Sequence, residues 1–221
     1  MAAGFFDVDG TLGSTNVVMA YLAFRLHGSS RLQRWAFSTL FLPKLPFYAV
    51  LDSFSRERFC EVFYRSYAGV RLSDLETWAA EAGRRFWDRR LFPDALRQLN
   101  DHRANGHRIV LVSGGIEPVL RPLEQILAPD ALVAAQPEME DSRLTGRLVG
   151  GPLSGHKKAR AAQEVAATLG VDMQKSYAYA DSYADREILE CVGHPVAVNP
   201  DRRLRRLAQR QGWQIRRWRH R

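Results

Sequence analysis

Ile109-Val110-Leu111-Val112 is an almost unbroken run of aliphatic and β-branched residues that ends on Ser113-Gly114-Gly115. A strand this uniformly apolar must be covered on both faces, which is the situation of a parallel sheet. Similar short runs recur along the chain. Phe5, Phe6 and Val8 surround Asp7, Ala131 to Ala134 form another, Ser176 to Ala180 end at Asp181, and Pro195 to Val198 make the last. Helical patterns lie between them. One opens at Pro93 and carries Leu96 and Leu99 to Gly106, one runs from Glu117 to Leu127, and one from about Lys157 to Leu169 stops at Gly170. A final helix is capped by Asn199-Pro200 and ended by Gly212. Glu138 to Val149 reads as a hairpin turning at Asp141-Ser142-Arg143. Strands alternating with helices predict an α/β protein with a doubly wound parallel sheet and right-handed crossovers. In such a sheet ligands bind beyond the carboxyl ends of the strands. That is where Asp7 and Asp9, Ser113, and Asp181 with Asp185 fall, and Lys157 and Lys158 open a helix nearby.

One segment breaks the alternation. Residues 14 to 90 show no strand pattern and predict an all-α insert after the first strand. Ser14 or Thr15 caps a helix running to Leu26 and Gly28, a second apolar segment ends at Pro43, and Phe54 to Ala68 stops at Gly69. Ser73-Asp74-Leu75-Glu76 has the form of a capping box. Trp35 to Leu51 is the longest apolar stretch, but Pro43, Lys44 and Pro46 interrupt it. A membrane span needs roughly 20 apolar residues, so none is expected. Met1 to Gly4 lacks the basic region of a secretory leader. Cys60 and Cys191 stand among helical apolar positions, with neither disulfide nor metal-ligand spacing. The expectation is a cytoplasmic protein with reduced thiols.

The formal net charge of +8 is unevenly placed. Residues 201–221 hold nine arginines and one acid, Asp201, so the first 200 residues balance to zero. The basic end reads either as an arm for an anionic membrane surface or as a solvated helix face with a frayed end. Only Trp213 and Trp218 interleave the arginines, and no nucleic-acid-binding motif accompanies them, so specific nucleic-acid binding is not expected.

The strand-end residues, taken in order, resemble the four motifs of the haloacid dehalogenase-like superfamily. They are Asp7-Val8-Asp9-Gly10-Thr11, Val112-Ser113-Gly114, Ser154-Gly155-His156-Lys157-Lys158-Ala159, and Asp181-Ser182-Tyr183-Ala184-Asp185. Asp141 to Gly146 and His194 to Pro200 are similar to subfamily IB, the phosphoserine phosphatase-like group. The resemblance implies a Rossmann-like core at 1–13 and 91–221 and a C1-type helical cap at 14–90. It implies Mg²⁺ held by Asp7, the backbone carbonyl of Asp9, and Asp181, with Asp185 steadying the metal's waters or the lysine. Asp7 becomes the nucleophile that forms an aspartyl-phosphate, and Asp9 the general acid and then base. Ser113, Gly114 and a lysine bind the phosphoryl group, and Thr11 orients the first loop. The group's Gly-x-x-Lys spacing favours Lys158, with Lys157 the alternative.

The implied activity is hydrolysis of a small phosphate monoester. Phosphoserine phosphatases carry an acid soon after the first motif to pair the substrate ammonium. Here Gly13 to Asn16 offer none, and no acid occurs between Asp9 and Asp52. Arg56, Arg58 and Arg65 are candidates for reading a carboxylate or second phosphate. Two other readings stand beside this one. One is a phospholipid or lysophospholipid head-group phosphatase with Trp35 to Leu51 on a membrane surface; the other is a non-catalytic scaffold or nucleic-acid-binding protein.

Overall fold

The computed structural model describes residues 1–220. Six strands form one sheet in the order β3-β2-β1-β6-β7-β8, all neighbours parallel. They are β1 (Ala3–Asp7), β2 (Arg108–Ile116), β3 (Ala131–Ala135), β6 (Tyr177–Ala180), β7 (His194–Val198) and β8 (Gln214–Arg216). The hairpin β4 (Pro137–Glu140) and β5 (Arg143–Leu148) stands apart, and Asp141 and Ser142 at its turn have φ of 47° and 62°. β1 sits at the point where the strand order reverses, with β2 on one side and β6 on the other.

Side-chain alternation divides the sheet's two faces. Phe5, Val110 and Val112 enter the core under α9 (His156–Thr168), α10 (Arg186–Glu190) and α11 (Arg202–Gln211). Phe6, Ile109 and Leu111 enter the other, shared with α7 (Pro93–Ala104) and α8 (Glu117–Leu127). That second core continues into the helices between β1 and α7. These are α1 (Val17–Leu26), α2 (Arg31–Phe41), α3 (Leu45–Phe54), α4 (Arg56–Tyr64), α5 (Leu72–Trp78) and α6 (Arg84–Asp88). Tyr21, Tyr48, Phe59, Phe63 and Tyr67 pack ring against ring at its centre. The hairpin fastens this block to the sheet domain, because Gly69 and Leu72 donate backbone hydrogen bonds to Leu144 and Ser142 at 2.8 and 3.1 Å.

Three helix starts differ from the sequence reading, each through a contact with a remote segment. Ser14 meets His220, and Asn16 caps α1 by accepting from Met19 N–H at 2.9 Å. Leu72 is anchored to the hairpin, so α5 begins there and Ser73 lies inside it. The Asn199 amide clamps the backbone of Trp218, donating to its carbonyl and accepting its N–H at 3.0 Å each, while Asp201 caps α11.

The arginine-rich end is likewise not a loose arm. Residues 202–211 are α11, Gln214–Arg216 add the sixth strand, and Trp218, 5% exposed, stacks on Tyr179. The pattern was hidden because β8 is three residues long and contributes one apolar side chain. Arg221, the last residue of that end, lies outside the described residues. No helix among the described residues is long and apolar enough to cross a membrane.

Candidate active site

Asp7 is the last residue of β1 and Asp9 lies in the turn beyond it. Gly10 has φ of +79°, and a Cβ there would overlap the Asp181 carboxylate, so glycine lets the β1 turn and the end of β6 touch. Asp181 follows β6 directly, and Asp185 ends a short 3-10 turn after it. Lys158, in the first turn of α9, is 3% exposed. Its Nζ donates to Asp7 Oδ1 at 2.6 Å and lies 2.8 Å from Asp185 Oδ1. Burial alone would lower the lysine's pKa, but the carboxylates of Asp185 and Asp7 more than offset this and keep it protonated.

The carboxylates outnumber that one cation. One oxygen each from Asp7, Asp181 and Asp185 lie within 4.8 Å of one another. Burial raises Asp7 above the usual carboxylate range despite Lys158, and it holds Asp181 well above that range, with Asp7 and Asp185 adding repulsion. Burial, then the charge of Asp7, pushes Asp9 up to about 7. Asp9 Oδ1 is buried with no hydrogen-bond partner. Buried polar atoms are rarely left this way, and a set of hard, mutually repelling oxygens is the donor chemistry that Mg²⁺ selects. The residues present therefore fit a magnesium ion, with Asp185 added to the group that the sequence assigned.

These groups open on a cavity of about 910 Å³ between the strand ends and the ends of α3 and α4. Asp7, Asp9, Gly114, Lys158, Asp181 and Asp185 all line it. Ser113 lies beneath, 1% exposed, its Oγ accepting the Gly115 N–H at 3.0 Å, which leaves its own proton free. Thr11 is fully buried, with its hydroxyl 3.5 Å from Asp181 Oδ1. Lys157 points elsewhere and donates to the Gly150 carbonyl at 2.9 Å.

Of Arg56, Arg58 and Arg65, only Arg56 lines the cavity, where both Asp52 oxygens accept from it at 3.1 Å. Arg58 and Arg65 are exposed and outside it. Two residues along a helix is about 200° of rotation, which turns Arg58 away from the side that Arg56 faces. Sequence reasoning also missed Arg202 and Arg203, which line the mouth from the start of α11. Arg203 and Arg186 flank the Tyr183 ring at 4.2 and 4.9 Å. Reading 201–221 as one basic arm hid these residues. Their place just after an apolar strand, at the carboxyl edge of the sheet, was the available signal.

The chain is similar to known proteins. The family model of haloacid dehalogenase-like hydrolases matches residues 5–190. The inhibition of morphological differentiation protein of Streptomyces azureus is 30% identical over 214 residues, covering 96% of this chain and 77% of that protein. A phosphoserine phosphatase of Mycobacterium tuberculosis is 36% identical over 124 residues, 56% of this chain but only 40% of that protein. The chain thus spans less than half of the mycobacterial relative. A Bordetella pertussis Tohama I structure of unknown function superimposes with a TM-score of 0.73, at 24% identity over 97% of both chains. A phosphoserine phosphatase in apo form gives 0.68 at 15% identity, covering 97% of this chain and 92% of that one. These likenesses report a common fold. Together with the family match across most of its length, they establish that the chain belongs to the haloacid dehalogenase-like hydrolases.

Proposed function

We propose that this chain is a Mg²⁺-dependent phosphatase that hydrolyses a phosphate monoester through an aspartyl-phosphate on Asp7. The observation that carries the reading is the buried Lys158 pinned between Asp7 and Asp185, beside an Asp9 carboxyl with an unpartnered oxygen. Asp7, Asp181 and Asp185, with the Asp9 backbone carbonyl, would hold the ion, whose positive charge offsets that of the phosphate oxygens when bound.

Asp7 Oδ attacks phosphorus in line and the ester oxygen departs. Asp9, whose proton is retained to about pH 7, donates it to that oxygen. As a carboxylate, Asp9 then takes a proton from the water that attacks the Asp7 acyl-phosphate. Lys158 pairs with phosphoryl oxygens, and the Ser113 hydroxyl and Gly114 amide hold the others. Residues 14–90 act as a cap over a core of 1–13 and 91–221 and set the substrate. Thr15 and Asn16 line the cavity just beyond the first motif. No acid stands at those two positions, but Asp52, Glu57 and Glu187 line the same cavity, so the lining offers carboxylates to an ammonium-bearing substrate elsewhere.

The test is hydrolysis of p-nitrophenyl phosphate with and without Mg²⁺, by the native chain and by Asp7→Asn. The variant is expected to lose turnover by about three orders of magnitude or more, as when a covalent nucleophile is removed. Retained turnover sinks the mechanism, and a native chain without Mg²⁺-dependent hydrolysis revives the non-catalytic scaffold.

A further inference from the structure

Helices α2 and α3 are anchored by one side only. Phe37 and Phe41 pack on Tyr21, and Tyr48 packs on Phe63. Their outer side is apolar and uncovered. Trp35 is 67% exposed and Phe54 81%, and Leu32, Leu40, Phe47 and Val50 are each more than half exposed. Phe47, Val50 and Phe54 recur at three- and four-residue steps, so they share one face of α3. Soluble monomers rarely leave so many large apolar side chains together in water, and such faces mark interaction surfaces.

Charge identifies the occupant. Residues 10–51 contain Arg25, Arg31, Arg34 and Lys44 and no acid. A two-fold contact with a second copy would set Arg31, Arg34 and Lys44 against their own kind. The one acid on α2 and α3, Asp52, is paired with Arg56. An apolar surface carrying an exposed tryptophan and flanked by Arg31, Arg34 and Lys44 matches an anionic lipid leaflet, where the rings enter the interface and the cations meet head-group charge.

We propose that the outer α2–α3 face docks this protein on an anionic bilayer. The C-terminal end of the same α3 lines the cavity, through Ala49, Asp52, Ser53 and Phe54. Phe54 therefore belongs to both the docking face and the cavity mouth. Docking presents that mouth, with Arg202 and Arg203 on its lining, to the head-group layer. The consequence that a head-group phosphate reaches Asp7 rests on the phosphatase reading; the docking itself does not.

The experiment uses the full chain carrying Asp7→Asn, so that no turnover intrudes. Vesicles of phosphatidylglycerol and phosphatidylcholine are compared with phosphatidylcholine alone, by flotation and by tryptophan emission. Trp78, Trp87 and Trp218 are buried and Trp213 is half-buried, so the blue shift is read in the Trp213→Phe background, where it reports Trp35. The expected result is binding to the anionic vesicles, weakened by salt. It should fall at least tenfold in Leu32→Ser/Trp35→Ser/Phe47→Ser, and equally in Arg31→Glu/Arg34→Glu/Lys44→Glu. Far-ultraviolet circular dichroism confirms that these surface variants fold. Protein left in solution, equal binding to neutral vesicles, undiminished binding by the apolar variant, or self-association through this face without lipid would each overturn the proposal. Absent phosphatase activity in the native chain would count against the catalytic reading alone.

Discussion

Replacing Asp9 with asparagine should stabilise the metal-free protein while abolishing turnover. The Asp9 carboxyl titrates at about 7 instead of 3.8 because it is buried beside Asp7. Between those two pH values the folded chain holds a proton that the unfolded chain has released, so this group's contribution to stability falls as pH rises through the window. A displacement of about three pH units corresponds to ~4 kcal/mol. Partial exposure and relaxation around the turn reduce that to about 2 kcal/mol. The Asp9→Asn variant keeps the side-chain shape and loses the charge. Its unfolding free energy in urea, measured with a chelator present, should match the native protein near pH 4 and exceed it by about 2 kcal/mol near pH 8. A stability difference that does not grow with pH, or a variant less stable at pH 8, would refute the picture of a carboxylate cluster held together against its own repulsion.

Other outcomes follow from the same structure. Lys158→Ala should lower phosphatase turnover by about two to three orders of magnitude and destabilise the fold by about 3 kcal/mol, since two buried carboxylates lose their cation. Lys157→Ala should leave both near native; the reverse pattern in steady-state assays would reassign the lysine. His102 is 3% exposed, accepts or donates through Nε2 to the Tyr179 hydroxyl at 2.8 Å, and is held near pKa 4 by burial and by His107. Its folded pKa is depressed, so stability should fall as pH drops from about 6.5 toward 4, by about 3 kcal/mol at most. In His102→Phe that slope should be shallower in thermal unfolding. Trp218→Ala should cost about 3 kcal/mol, measured by denaturant unfolding; an unchanged midpoint would mean that the arginine-rich end is not integral to the sheet.

The strands that carry the site were legible because each is apolar on both faces and stops at a polar residue. Ile109 to Val112 could be read from composition alone, and Ser113 follows from where that run ends. Asp7 and Asp181 were within reach for the same reason, whereas Lys158 and Asp185 came from the resemblance to the superfamily's third and fourth motifs. What local pattern could not supply is tertiary competition for side chains. Ser14, Ser73 and Asn199 look like caps, yet each is engaged or displaced by a contact from a remote segment. Arg56 differs from Arg58 and Arg65 only in the direction it leaves its helix, which periodicity gives relative to neighbours but not relative to a cavity. Trp35 to Leu51 reads from sequence only as an interrupted apolar stretch, because hydrophobicity alone does not distinguish a covered side chain from an uncovered one.

β1 precedes both of its sheet neighbours in the chain and is one of the two central strands of the finished sheet. Its register partners are Arg108 to Val112 on one edge and Tyr177 to Tyr179 on the other. Until those segments are synthesised, Phe5 and Phe6 have no β neighbour to pair with. The helices between β1 and α7 can form from nearby contacts in the meantime, but the strand that bears Asp7 must wait for the second half of the chain. A nascent or truncated polypeptide ending before residue 108 should thus possess a folded helical block, an unpaired β1 and no chemistry. Maturation of activity should coincide with closure of the sheet rather than accumulate gradually.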